Sequence, residues 1–316
     1  MKGLTDIPGI RVGHVSDFDA MTGCTAILCE QGAVGGVDIR GSASGTEEID
    51  TLSPGHVDDR VHGILLAGGS AFGLEAAAGV RRYLAGRKVG YLFGGQHIPI
   101  VAAAILFDLG IGKTNVHPNV AMGVAAAVAA TTDAVKEGCV GAGTGATIGK
   151  LFGMARAMKG GVGSYTVTLP GGVRVAALVA VNALGDVRDP ATGKIIAGAR
   201  RNAGSSDFID SEAEMMRGAL VGGAKANTTL AVVATNAGLN KVQANKLAQF
   251  ASLGMARTIY PVSTMFDGDI AFALSLGSLP ADINTLGVAA GQAVAQSILR
   301  AVRLATTLGG VPGLAG

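Results

Sequence analysis

Asn227-Thr228-Thr229 opens an apolar, β-branched run (TTLAVVAT, 228–235) directly after a polar, turn-like stretch at 222–226. On its own the dipeptide is most simply the β-branched start of a buried strand. It also permits a chemistry. The Thr228 hydroxyl can attack the carbonyl of Asn227, shift the peptide to an ester and, after hydrolysis, leave a new N-terminal threonine. The freed α-amine, with a reference pKa of about 8, then acts as general base for its own hydroxyl. Such a nucleophile needs no histidine, and no Ser-His-Asp set is evident in this chain. Downstream, Asp267-Gly268-Asp269 precedes another strand-like run. In extended backbone, residues two apart face the same side. Asp267 and Asp269 would then stand together, able to orient the Thr228 amine and hydroxyl and to stabilise an ammonium formed during proton transfer. A solvated Asp-Gly turn is the plainer alternative.

These residues must be positioned by elements, and turn chemistry punctuates the whole sequence. Short strands are expected at 10–14, 24–29, 61–66, 165–169, 173–181, 228–235 and 269–276. Helices are expected at 71–84, 119–136, 210–220, 239–255 and 281–307. The glycine-dense stretch 137–164 reads as loop. Strands alternate with helices but also come in adjacent pairs, which favours a layered α/β or α+β fold over a clean βαβ repeat. With no long linker and no internal repeat, one domain over 1–316 is the economical organisation.

Composition removes several function classes. The 316 residues include 25 Lys+Arg and 23 Asp+Glu, a net charge of +2 that offers no footprint for nucleic acid or an anionic membrane. At 49% hydrophobic and 15% charged, the chain is not disordered. The mean hydropathy of +0.44 invites a membrane reading. However, the apolar runs at 99–107 and 120–130 stop well short of the roughly 20 residues a spanning helix needs. The N-terminus lacks the apolar core of a signal peptide, and three cysteines (Cys24, Cys29, Cys139) without zinc spacing fit reduced thiols, so a cytoplasmic protein is expected.

Other chemistries fail on spacing. Gly112-Lys113-Thr114 has Phe107 where a phosphate loop needs glycine, and Gly149-Lys150 has Thr144 there and Leu151 in place of Ser/Thr. Gly141-x-Gly143-x-x-Ala146 matches a dinucleotide fingerprint only by letter, since no buried strand precedes it. His14, His56, His62, His97 and His117 are scattered, so neither a metal nor a cofactor is expected. Gly69-Ser70-Ala71-Phe72-Gly73 has the wrong glycine spacing for a hydrolase elbow.

Taken in order, several separated motifs resemble one family: Gly9-Ile10-Arg11-Val12-Gly13-His14, the stretch from Leu66 to Leu74, Gly141-Ala142-Gly143-Thr144-Gly145, Val181-Asn182, Asn227-Thr228-Thr229-Leu230 and Asp267-Gly268-Asp269. The chain is similar over nearly its whole length to the P1 family (peptidase S58) of N-terminal-nucleophile amidohydrolases. That family includes L-aminopeptidase/D-amidase/D-esterases, β-peptidyl aminopeptidases and 6-aminohexanoate (nylon-oligomer) hydrolases. The resemblance implies a four-layer αββα sandwich and self-cleavage between Asn227 and Thr228, giving an α chain of 1–227 and a β chain of 228–316. It implies Thr228 as nucleophile, Asp267 and Asp269 as the carboxylate pair, and Asn182 as amide donor to the oxyanion. Lys150 is implied as a cation beside the nucleophile, disfavouring a protonated α-amine. It also implies a homo-oligomer, a tetramer by resemblance, acting on a small amide or peptide: an aminopeptide, an amino acid amide or a short polyamide such as 6-aminohexanoate oligomers. One departure stands out. Phe107 occupies a position where some members carry tyrosine, and phenylalanine cannot donate a hydrogen bond.

Two alternatives keep the fold. An acyltransferase resembling ornithine acetyltransferases would use the same threonine but pass the acyl group to an amine, and a binding protein would not process itself at all. A substrate with a free amino group needs a carboxylate to receive it, for which Asp38, Glu47 and Glu48 are candidates.

Overall fold

The computed structural model describes residues 1–219 and 227–316. Nine strands form the main sheet: β1 (Arg11–Asp17), β2 (Thr22–Ile39), β3 (Thr46–Glu47), β4 (Val61–Ala67), β5 (Val101–Ile105), β6 (Gly161–Thr168), β7 (Arg174–Asn182), β8 (Thr228–Ala237) and β9 (Ile270–Leu279). Their order is β6-β7-β8-β9-β2-β4-β5-β3, with β1 paired to β2. The β8–β9 and β4–β5 pairs are parallel and the other pairings antiparallel. The fold is mixed α/β, as the alternation of strands and helices suggests.

β2 is 18 residues long because it serves two partners. Its first half pairs with β1 and β4 and its second half with β9, with a register shift between Leu28 and Ala33. Side chains of the sheet alternate between faces, and they feed three hydrophobic clusters. Leu230, Val232, Ile270 and Phe272 meet Ile64, Leu66, Ala102 and Ala104 in one. The opposite faces of β7–β9 pack under helices α4 (Lys241–Ala256) and α5 (Ile283–Arg303). Leu65, Ala67 and Ala103 pack under α1 (Glu75–Gly86) and α2 (Val120–Val128). Each Leu, Val or Ile buried this way contributes about 1.5–3 kcal/mol.

Glycine sets how closely the helices approach. A Cβ at Gly36 would lie 2.3 Å from the backbone of Ala244 in α4, and one at Gly163 would lie 2.0 Å from Ser297 O in α5. This corrects the reading of 137–164 as loop. Gly161 and Gly163 belong to strand β6, and 147–148 pair with 158–159 in a short hairpin. The glycines there make room for α5 as well as turning the chain.

Helix 119–136 is also shorter than expected. After Val128 the chain leaves the helix, and Thr131 exchanges two backbone hydrogen bonds with Val12 of β1. Thr131 and Thr132 are poor helix formers; β1 partners Thr131, and the Lys2 ammonium donates to Thr132 O. The side chains of Asn119, Asp282 and Asn240 accept the N-terminal amides of α2, α5 and α4, the last in a capping box with Gln243. Each cap contributes about 1 kcal/mol. Helix α3 (Ser211–Met216) covers part of the expected 210–220. Residue 220 and the turn-like stretch 222–226 lie outside the described residues. Among the described residues, no helix is long and apolar enough to cross a membrane.

Candidate active site

Three strand ends meet at one edge of the sheet. β8 starts at Thr228, and the antiparallel register puts Thr228 opposite Asn182, the last residue of β7. β9 runs parallel to β8, so the segment leading into it, Asp267-Gly268-Asp269, arrives at the same end. Asn227 forms a parallel bridge with Asp267. Three stretches remote in sequence thus converge because the ladder fixes their ends.

Thr228 is 2% exposed, and its hydroxyl donates to the carbonyl of Asn227 at 2.6 Å. That carbonyl also accepts the Gly268 N–H at 2.7 Å, while the Asn227 N–H donates to Phe266 O at 2.9 Å. The carbonyl of the 227–228 peptide is therefore fixed by Gly268, with the Thr228 hydroxyl against its oxygen.

Lys150 is held near the end of β7 by its N–H, which donates to Leu184 O. Its buried ammonium donates to Asn182 Oδ1 at 2.8 Å and to Asn182 O at 3.1 Å. Burial lowers its pKa to about 7, partly offset by the charge of Asp267. Asn182 is fully buried. Its Oδ1 also accepts Thr147 N at 3.0 Å, and its Nδ2 donates to Phe107 O at 2.9 Å. The amide orientation is thereby set, and one of its two N–H groups is committed to Phe107.

The two aspartates share a wall. Asp267 Oδ2 accepts the N–H and hydroxyl of Thr264 (2.9 and 2.6 Å). Asp269 Oδ1 accepts Thr229 N at 2.6 Å, and its Oδ2 accepts the N–H and hydroxyl of Ser263. Both are 1% exposed. Burial raises the pKa of Asp267, and burial with the nearby Asp267 charge raises Asp269 to about 7. A carboxyl and an ammonium that both titrate near neutrality suit general acid–base work at pH 7. The solvated-turn alternative for Asp267 and Asp269 does not hold here.

A small recess of about 10 Å³, room for roughly one water, lies beside Lys150, lined by Phe107, Asp108, Gly110, Ile111, Gly145, Thr147 and Met154. Asp38, Glu47 and Glu48 do not line it. Asp38 pairs with Arg40, Glu47 and Glu48 pair with Arg81, and Glu48 also accepts Val101 N. Each already has a cation, which weighs against a role as amine receiver. Inspection of side chains alone misses Thr147, Ser263 and Thr264, which orient the polar groups, and the 40–43 segment. In that segment the N–H groups of Arg40 and Gly41 bond Asp269 O, and that of Ala43 bonds Asp267 O. The Ser263-Thr264 pair just ahead of Asp267 was the visible signal. Among the described residues no group of three or more His, Cys, Asp or Glu is placed to hold a metal ion.

Comparison with known proteins agrees with this architecture. A Mycobacterium leprae protein named as an uncharacterised aminopeptidase is 37% identical over 99% of this chain and 93% of its own length. A 6-aminohexanoate-oligomer endohydrolase of Kocuria sp. is 32% identical over 94% of this chain and 85% of its own. The solved L-aminopeptidase D-Ala-esterase/amidase of Ochrobactrum anthropi, described as a variant of the Ntn hydrolase fold, superposes with a TM-score of 0.71. It covers 98% of this chain and 88% of its own at 20% identity, a likeness of fold. Fold and relatives together define a hydrolase acting on amide bonds. More narrowly, the chain belongs to peptidase family S58, whose model it matches over residues 2–315.

Proposed function

We propose that the chain cuts itself between Asn227 and Thr228 and then works as an N-terminal-threonine amide hydrolase through an acyl-enzyme on Thr228. One observation carries this: the buried Thr228 hydroxyl rests 2.6 Å from the Asn227 carbonyl oxygen, at the strand end where Asn182 with its bonded Lys150, Asp267 and Asp269 converge. Cleavage divides the chain into 1–227 and 228–316. In turnover the α-amine of Thr228 takes the hydroxyl proton as Oγ1 attacks the substrate carbonyl, and the carboxylates of Asp267 and Asp269 stabilise the ammonium that results. The second N–H of Asn182 serves the substrate oxyanion, an interaction worth about 3–4 kcal/mol of barrier. The Lys150 charge keeps the amine unprotonated. The α-ammonium passes its proton to the leaving amine, which departs, and water then releases the acid and restores the Thr228 hydroxyl.

The substrate is a small amide: an aminopeptide, an amino acid amide or a short polyamide of the 6-aminohexanoate kind. The three hydrophobic clusters support a four-layer αββα arrangement. Leu92 and Phe93, 67% and 78% exposed on a hairpin, offer surface for subunit contact in a homo-oligomer.

The test is intact mass with product analysis. Purified wild-type protein is expected as fragments of about 22 and 9 kDa, dividing 31.3 kDa in proportion to 1–227 and 228–316. Thr228→Ala is expected as one inactive chain. A fully active, uncut wild-type chain overturns the proposal.

A further inference from the structure

Self-cleavage builds negative charge on the oxygen of Asn227, not on a substrate atom, and among the described residues no ionisable side chain donates to that oxygen; the Lys150 ammonium bonds Asn182. Asn182 Nδ2 bonds Phe107 O with one N–H and makes no hydrogen bond to the Asn227 oxygen with the other. The Asn227 oxygen already accepts the backbone N–H of Gly268 at 2.7 Å. We infer that this N–H is the oxyanion donor of the self-cleavage step, and that residue 268 is glycine because any side chain there would occupy the nucleophile's place. The inference rests on the self-cleavage reading above.

The donor is held rigidly. The peptide linking Asp267 to Gly268 is clamped on its other side, where Asp267 O accepts Ala43 N at 2.9 Å. Asp267 N donates to Thr264 O, and Asp269 O accepts both Arg40 N and Gly41 N. A run of hydrogen bonds thus passes from Ala43 N–H through this peptide to the Asn227 carbonyl, and bonds in such a chain polarise one another. A donor fixed before the reaction costs no reorganisation when charge develops. The glycine requirement is spatial. A Cβ at 268 would stand 2.7 Å from Thr228 Oγ1 and 2.7 Å from Ala43 O. Any L side chain would push the hydroxyl off the carbonyl.

The step balances. A bond forms between Thr228 Oγ1 and the Asn227 carbonyl carbon, and the bond from that carbon to the Thr228 nitrogen breaks. The hydroxyl proton ends on that nitrogen, leaving an ester and an amine. Water then cleaves the ester, its OH completing the Asn227 carboxyl group and its hydrogen restoring the Thr228 hydroxyl. The Gly268 N–H stabilises the tetrahedral oxyanion on the way to the ester.

Replacing the Asp267–Gly268 amide by an ester, with glycolic acid translated at position 268, deletes the donor and adds no side chain. Followed by intact mass during cell-free synthesis of the full chain, cleavage is expected to slow by about 10²–10³-fold. Hydroxylamine cuts esters, so it opens this variant at the 267–268 ester in any case; rescue, meaning a cut at 227/228 as read by mass, is expected not to occur, because the block precedes the Thr228 ester. Gly268→Ala is expected to stay a single chain; should it fail to fold by thermal melting, the ester variant decides. Cleavage of the ester variant at the wild-type rate, or its rescue by hydroxylamine, overturns the inference. A wild-type chain that never cleaves would instead overturn the self-cleavage reading itself.

Discussion

Two lysines, nine residues apart in the same glycine-rich stretch, are both taken out of water. Lys159 is 1% exposed, and its ammonium donates to the carbonyls of Thr144 and Ala146 (2.8 and 2.7 Å). Lys150 is 4% exposed and donates to a side chain, Asn182 Oδ1, on the end of the strand that faces Thr228. Burial lowers both, to about 8 and about 7. The perturbation is similar, so it does not mark the site. The surroundings do: Lys150 has the buried Asp267 as its main opposing charge and lines a small recess, whereas Lys159 pins a backbone turn. A buried ammonium satisfied by main-chain oxygens is architecture, while one that shares its hydrogen bond with a side chain opposite a nucleophile is placed for chemistry.

Substituting each lysine by methionine breaks the comparison if the roles are wrong. Lys150→Met is expected to lower kcat/KM by about 10²–10⁴-fold, the range for losing a positioned proton-handling group, with little loss of stability. Asp267, whose pKa burial already raises, can take up a proton when its cation is lost instead of staying charged, and Asn182 Oδ1 keeps Thr147 N as donor. Steady-state kinetics together with thermal melting read both halves. Equal effects on folding and activity would erase the distinction.

Lys159→Met is expected to do the reverse. Thr144 O loses its lysine donor, which costs about 1–3 kcal/mol, while turnover per folded molecule stays within about tenfold of wild type. The Tm of the variant gives the first figure and active-site-normalised kinetics the second.

The dependence on pH sharpens the same point. With its pKa lowered to about 8 from 10.5, Lys159 binds fewer protons folded than unfolded between those values. Stability from this group therefore rises with pH across that window. Denaturant melts at pH 8 and pH 10 are expected to show the gap between wild type and Lys159→Met widening at the higher pH. A constant gap would mean that the ammonium is not desolvated.

The proposed nucleophile and the two aspartates were legible because their signals are local. Asn227-Thr228 opens a β-branched run, and Asp267 and Asp269 sit two apart ahead of a strand. Lys150 and Asn182 became visible only through resemblance, since nothing in the stretch 137–164 distinguishes Lys150 from Lys159. Their difference lies in which distant backbone or side-chain oxygen each one meets. The fold class followed from alternation of strands and helices. The strand over Gly161–Thr168 did not, because glycines that admit α5 look the same in sequence as glycines that turn a chain. Backbone contributions were invisible for a related reason. The Phe107 carbonyl and the Gly268 N–H act through atoms that every residue of their kind carries, and only the register of the sheet and the approach of 40–43 give them a partner.

The smallest expected effect concerns the carboxylates that sequence alone offered as amine receivers. Glu48 accepts Val101 N at 3.1 Å and lies 3.6 Å from Arg81, while Glu47 takes the same arginine at 2.5 Å. Burial raises the Glu48 pKa, and the pairs are partly open to solvent. Glutamine keeps the acceptor for Val101 N and gives up only a partly screened ion pair, a loss of about 0–1 kcal/mol. Glu48→Gln should therefore leave KM within about twofold for substrates with and without a free amino group. The contrast between those two substrates is the informative reading. If KM rose tenfold only for the amine-bearing one, Glu48 would contact substrate, and the acyl group would have to enter from the Arg81 side of β3 instead of beside Lys150.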